Sequence, residues 1–200
     1  MKKIIIATKN KGKAAEFKTL FSEYGVEVLT LLDIENAPDI EETGNSFEEN
    51  AALKAEGISN LTDTIVIADD SGLIVDELDG MPGIYSARYA GLEKNDEDNI
   101  NKLLFEMREV PENKRTARFY CSLAVAIPGE KTIVVSGKCE GFILKERRGH
   151  NGFGYDPVFF VTVSGKSMAE LSNEEKNRIS HRAEALQNLV PVLKELFKRR

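Results

Sequence analysis

The chain has 200 residues, of which 42% are hydrophobic and 30% charged, with a formal net charge of −6. That length fits one domain, or one compact body with two lobes, and is enough to bury a core without staples. The acidic balance argues against broad binding to nucleic-acid polymers or membrane surfaces, so an anionic ligand has to be met by a local group of cations.

The chain starts Met1-Lys2-Lys3 and continues into an apolar run, Ile4 to Thr8, that is too short for a signal peptide and reads as a buried strand. A helix is expected from about Lys13, with Ala14, Phe17, Leu20 and Phe21 at helical spacing. Val26 to Leu32 reads as a second strand, and the acidic stretch Glu35 to Asn45, with Pro38 and Gly44, as a loop. Ser46 and Glu49 form a capping box for a helix that buries Phe47, Ala51, Ala55 and Ile58. The buried strand Ile65 to Ala68 runs into Asp69-Asp70-Ser71-Gly72, with Leu73 to Val75 as a candidate extended continuation.

Asn95 caps a helix with Asp96, Glu97 and Asp98 in its first turn and Ile100, Leu103, Leu104 and Met107 as its apolar face. Arg115 to Ile127 and Lys131 to Leu144 flank Pro128-Gly129-Glu130 as a hairpin, and Val158 to Val163 is the last strand. Ser172 and Glu175 form a second capping box. A terminal helix from about Ser180 turns Leu186, Leu189, Val190, Leu193 and Phe197 inward and is kinked at Pro191. Cys121 and Cys139 fall in strand-like runs and read as buried reduced thiols. No apolar run nears the ~20 residues of a membrane span, which leaves the cytoplasm as the default. Strands alternate with helices, so the class is α/β, and the hairpin makes the sheet mixed.

Five segments carry candidate chemistry. Thr8-Lys9-Asn10-Lys11-Gly12-Lys13 joins the first strand to the first helix and is neither a Walker loop nor a GxGxxG loop; it reads either as a solvated basic turn or as a phosphate site of backbone N–H groups and three lysines. Glu41 and Glu42, before the Ser46 helix, read either as a solvated acidic loop or as hard-oxygen ligands for Mg²⁺. Asn50 and Lys54 lie four apart on one face of that helix, and Lys54 can point at a phosphate.

Asp69-Asp70, at the end of an apolar run, is costly unless solvated, paired or metal-bound; one carboxylate is expected to face a site and the other to brace a turn. Gly152-Phe153-Gly154-Tyr155-Asp156 reads either as a loop on which a planar ring stacks or as a turn whose aromatics plug the core. Lys176, His181 and Arg182 read either as a solvated basic turn or as cations and donors gathered for an anion near a helix start.

Taken together, six ordered motifs resemble the Ham1/inosine triphosphatase family over nearly the whole chain. They are Thr8-x-Asn10-x-x-Lys13-x-x-Glu16, Glu42-Thr43-Gly44-x-Ser46-Phe47-x-x-Asn50-Ala51-x-x-Lys54-Ala55, Ala68-Asp69-Asp70-Ser71-Gly72-Leu73, Pro82-Gly83-x-x-Ser86-Ala87-Arg88-Tyr89, Gly152-Phe153-Gly154-Tyr155-Asp156-Pro157 and Ile179-Ser180-His181-Arg182. His150-Asn151 and Ala183 depart from the pattern without removing a proposed ligand.

The resemblance implies an elongated mixed sheet flanked by helices in two lobes with a central active-site cleft. It also implies a Mg²⁺-dependent homodimer that cleaves ITP, dITP or XTP to the monophosphate and pyrophosphate. By position, it makes Asp70 the catalytic carboxylate and, with Glu41, a metal ligand, while Asp69 assists. Thr8, Lys9, Asn10, Lys11, Gly12, Lys13 and Lys54 would hold phosphates, and Ser71 would touch substrate. Phe153 would stack on the base, Gly154, Tyr155 and Asp156 would line its pocket, and Lys176, His181 and Arg182 would read the purine edge. A Maf-like pyrophosphatase and a nucleotide-binding module without turnover are the alternatives.

Overall fold

The computed structural model describes residues 3–22 and 25–199. Met1 and Lys2 of the basic start, and the side chain of Phe197, lie outside the described residues. In chain order the elements are β1 (Lys3–Ile6), α1 (Lys11–Phe21), β2 (Glu27–Thr30), α2 (Phe47–Thr62), β3 (Val66–Val75), α3 (Asp96–Glu106), β4 (Thr116–Ala126), β5 (Ile133–Ile143), β6 (Phe159–Val161), β7 (Lys166–Ser167), α4 (Asn173–Ile179) and α5 (His181–Arg199). The seven strands form one mixed sheet.

The chain divides into two compact units. The first comprises Met1–Asp70, Cys121–Gly137 and Glu184–Arg200. Its strand order is β2-β1-β3-β4-β5, with β1 parallel to both β2 and β3. Alternation along β1 sends Ile4 and Ile6 to one face and Ile5 to the other, which is why the run reads as continuously apolar. On one face Ile4, Ile6, Ile65, Ile67, Cys121 and Leu123 pack against Phe17 and Phe21 of α1 and Leu186, Leu189 and Leu193 of α5. On the other, Val66, Ala68, Ala124 and Ala126 pack against Ala51, Ala55 and Ile58 of α2.

The second unit comprises Ser71–Tyr120 and Lys138–Ala183. Its strand order is β3-β4-β5-β6-β7, and the last two pairings are antiparallel. Its core gathers Leu73, Val75, Ala117, Phe119, Cys139, Val158, Phe159 and Val161 around Ile100 and Leu103 of α3. Buried Arg115 donates to the carbonyls of Met107, Val110, Ile143 and Leu144, tying the end of α3 to the end of β5.

Four expectations change. Helix α1 begins at Lys11 rather than near Lys13, because the Asn10 side chain accepts from the Lys13 N–H as its cap. The Ser46 box closes on one side only: Ser46 accepts from the Glu49 N–H, while the Glu49 carboxylate accepts from Asn45 instead. Strand β3 does not end at Asp69-Asp70-Ser71-Gly72 but runs unbroken into the extended Leu73–Val75 segment, so the acidic pair lies inside one strand. Strand β6 is not the last, since β7 pairs along its edge.

The Asn95 cap and the Ser172–Glu175 box form as expected, with the Glu175 carboxyl pulled to about 2 by the Ser172 N–H and then by Lys166. Helix α5 runs through Pro191. Both cysteines are buried and outside any disulfide. Among the described residues no helix is long and apolar enough to cross a membrane.

Candidate active site

Successive residues of a strand point to opposite faces. Asp69 therefore follows Ile67 onto the α1 face of β3, and Asp70 follows Ala68 onto the α2 face. The contacts agree. Lys13 of α1 is bonded to Asp69 Oδ1, and the Cys121 thiol donates to Asp69 Oδ2 at 3.1 Å. On the other face Lys54 Nζ donates to Asp70 Oδ1 at 3.2 Å, to Glu42 Oε1 at 2.6 Å and to the Asp69 carbonyl at 2.8 Å. One ammonium thus joins α2, the acidic loop and β3.

Asp70 is buried, and its Oδ2 has no hydrogen-bond partner. Burial raises its proton affinity above the usual carboxylate value; Lys54 and Lys13 oppose that shift, and Glu42 and Asp69 add to it. For Lys54, burial alone lowers proton affinity, but Asp70 and Glu42 reverse this and hold the ammonium charged. The acidic loop is fixed by Asn50, whose Oδ1 accepts from the Gly44 N–H at 2.8 Å. A Cβ at Gly44 would lie 2.6 Å from the Glu49 side chain and 2.8 Å from that oxygen, so the close approach requires glycine.

The Thr8–Lys13 segment folds as a strand end and a helix start. Thr8 is buried and its Oγ1 accepts from the Asn10 N–H, Lys9 pairs with Asp39, Lys11 is exposed and Gly12 half-buried. Only Lys13 of the three lysines reaches the acidic pair. Glu41 is exposed, and its neighbour Glu42 is the carboxylate drawn to Lys54. Among the described residues no group of three or more His, Cys, Asp or Glu side chains is placed to hold a metal ion.

The second unit brings together the aromatic loop and the basic turn. Gly152 has φ +80°, and a Cβ there would fall 1.9 Å from Asp156 Oδ2. That oxygen accepts from the Phe153 N–H at 3.0 Å and from Lys176 Nζ at 2.7 Å. Lys176 Nζ stands 4.7 Å and the Arg182 guanidinium 5.8 Å from the Phe153 ring centre. Arg182 donates to Ser71 Oγ at 2.8 Å, and His181 stacks on Phe119.

The two loop aromatics part company. Tyr155 is a core residue whose hydroxyl donates to the Ser86 carbonyl, whereas Phe153 stays half-exposed. Gly154 donates its N–H to Asp96 at 2.8 Å. From the sequence, Asp96 reads only as a helix-dipole acid and Cys121 only as a buried thiol. Strand alternation pairs Cys121 with Asp69, but nothing local marks Asp96.

A Ham1 family model matches residues 4–192. This chain belongs to the Ham1 family. It is 56% identical over 199 residues to a dITP/XTP pyrophosphatase of Bacillus cereus, covering 98% of this chain and 97% of the relative. It is 60% identical over 189 residues to one of Geobacillus kaustophilus, covering 94% and 93%. The solved Ham1 protein of Staphylococcus aureus matches with TM-score 0.86 and 45% identity over 97% of this chain and 99% of that one. One from Coxiella burnetii matches with TM-score 0.87 and 39% identity over 98% and 100%. The mixed α/β fold of this Ham1-family chain is the one expected from its motifs.

Proposed function

We propose that this Ham1-family protein hydrolyses the triphosphates of deaminated purines, dITP, ITP and XTP, to the monophosphate and pyrophosphate, clearing them from the nucleotide pool. The observation that carries the reading is Asp70, a buried carboxylate with raised proton affinity and an unpartnered Oδ2 beside the Lys54 ammonium. The substrate class is supported by the relatives named dITP/XTP pyrophosphatase.

An unpartnered buried carboxylate oxygen suits a divalent cation, and Mg²⁺ is commonly bound by one or two carboxylates plus substrate phosphates. Asp70 and Glu41 would hold it, with Glu42 on the same loop. When bound, Mg²⁺ would withdraw charge from the phosphate oxygens. Asp70 orients a water and takes its proton as the water oxygen attacks the α-phosphorus. The new P–O bond forms on the nucleoside side, the bond to the β-phosphoryl bridge breaks, and pyrophosphate leaves with the electron pair. Lys54 and Lys13 balance the charge. The start of α1, with Thr8, Lys9, Asn10, Lys11 and Gly12, offers N–H groups and cations to the phosphates.

Phe153 provides a face for the base, held in place by the Asp156–Lys176 pair. Ser71 braces Arg182. Arg182, His181 and loop N–H groups donate to a 6-oxo purine, whereas the 6-amino group of adenine would leave those donors unmatched. The Mg²⁺ requirement, the homodimer and the cytoplasmic setting belong to the same reading and rest on the family resemblance.

The test is pyrophosphate release from ITP, dITP, XTP, ATP, GTP, dUTP and dTTP, with and without Mg²⁺. Release confined to the deaminated purines and dependent on Mg²⁺ is expected. Preference for pyrimidines would make this a Maf-like enzyme, and stabilisation by ITP without release would make it a binding module.

A further inference from the structure

The two carboxylates of the acidic pair differ in what they can reach. The Asp69 side chain has 0% exposure, whereas that of Lys13 keeps 18%. Asp69 Oδ1 takes the Lys13 ammonium and Oδ2 takes the Cys121 thiol, within the face packed by Ile67, Leu123 and Phe17. A carboxylate enclosed in this way is tolerable only when paired. A thiol is a weak donor, yet in a dry site it still fixes which oxygen faces the lysine.

An ammonium has three N–H donors, so Lys13 can hold Asp69 with one and keep others for an anion. A long side chain ordered before binding does not lose its rotamer freedom when the ligand arrives. Asp70 lies on the opposite face of β3, with an unpartnered oxygen.

We infer that Asp69, oriented by the Cys121 thiol, is a positioning residue that aims the Lys13 ammonium at the substrate's phosphates and is not itself a metal ligand. This rests on the proposed triphosphate reading. Phosphates are present in both ground and transition states, so losing the alignment should raise KM and spare kcat. The acidic pair then divides its labour between water activation at Asp70 and phosphate grip at Asp69.

The test is a mutant cycle on the full-length protein, read by dITP turnover, by the Mg²⁺ concentration giving half-maximal rate, and by calorimetric binding of inorganic triphosphate. Cys121→Ala is expected to raise KM and weaken triphosphate binding by about tenfold, as loss of a ligand-orienting partner commonly does. Its kcat should stay within about twofold, as expected for lost uniform binding. Cys121→Ser, which keeps a donor, should restore KM. In a Lys13→Ala background the Cys121→Ala penalty should vanish, because the two act on one element. Asp69→Asn should follow Cys121→Ala and leave the Mg²⁺ midpoint unmoved.

A full Cys121→Ala penalty without Lys13, or a shifted Mg²⁺ midpoint in Asp69→Asn, overturns the inference. If Asp69→Asn does not fold, the Cys121 and Lys13 variants decide alone. If wild type releases no pyrophosphate but the triphosphate cycle is coupled, the functional reading fails and the inference stands. An additive cycle with intact wild-type turnover gives the reverse. Absence of both turnover and triphosphate binding overturns both.

Discussion

Asp69 and Asp70 are neighbours on β3 that bond to lysines of different helices, Lys13 of α1 and Lys54 of α2. Strand geometry alone forces this division, since adjacent side chains leave opposite faces. Each carboxylate thereby meets its own cation, and only Asp70 keeps an oxygen without a partner.

In the proposed mechanism Asp70→Asn removes the base without removing the nucleotide site. We expect kcat for dITP to fall by about 10²–10⁴-fold, the usual contribution of a general base. Calorimetric affinity for the nucleotide should change little. Near-normal turnover would remove Asp70 from its assigned role.

The same residue sets a pH dependence. Its folded proton affinity is raised above the ordinary value of 3.8, chiefly by burial. The folded state then holds the proton more tightly than the unfolded chain, so ionised Asp70 costs stability in full above its folded value. That cost is relieved as pH falls through the folded value. In the metal-free protein Asp70→Asn should melt at a higher temperature than wild type near about pH 7, with the gap narrowing toward about pH 4, near the unperturbed carboxylate range. Thermal melts in a chelator across that range check this, and a gap that widens on acidification would contradict it.

The elements that could be read from the sequence are those fixed by near neighbours. The β1 run, the Asn95 cap and the Ser172–Glu175 box follow from residues within a turn or a strand of one another. The strand end expected at Asp69-Asp70-Ser71-Gly72 follows from Asp and Gly, which are poor strand formers. What carries the strand through them is Lys13, Lys54 and Cys121, brought in from distant parts of the chain. Likewise, nothing local separates Phe153 from Tyr155. The deciding partner of Tyr155 is Ser86, 69 residues away. All six motifs were legible in order, but their contacts were not.

Lys176 and Asp156 form an ion pair whose side chains are only 6% and 4% exposed. Lys176→Met should strand a buried carboxylate and cost about 3–5 kcal/mol of folding stability. Adding Asp156→Asn should recover much of the loss. Denaturant unfolding of the two variants tests this, and equal destabilisation in the single and double variants would contradict it.

Arg182→Ala removes a guanidinium that stands 5.8 Å from the Phe153 ring centre and bonds Ser71. We expect the ratio of kcat/KM for ITP over ATP to fall by about tenfold to a hundredfold, the effect of one unmatched buried polar contact. An unchanged ratio would place base reading on other residues.

In the proposed reaction, water activated by Asp70 attacks the α-phosphorus. Hydrolysis of dITP in ¹⁸O-labelled water, followed by mass spectrometry of both products, tests it most directly. Attack at the α-phosphorus puts the label in dIMP and none in pyrophosphate. Label in pyrophosphate, or release of labelled orthophosphate, would contradict it.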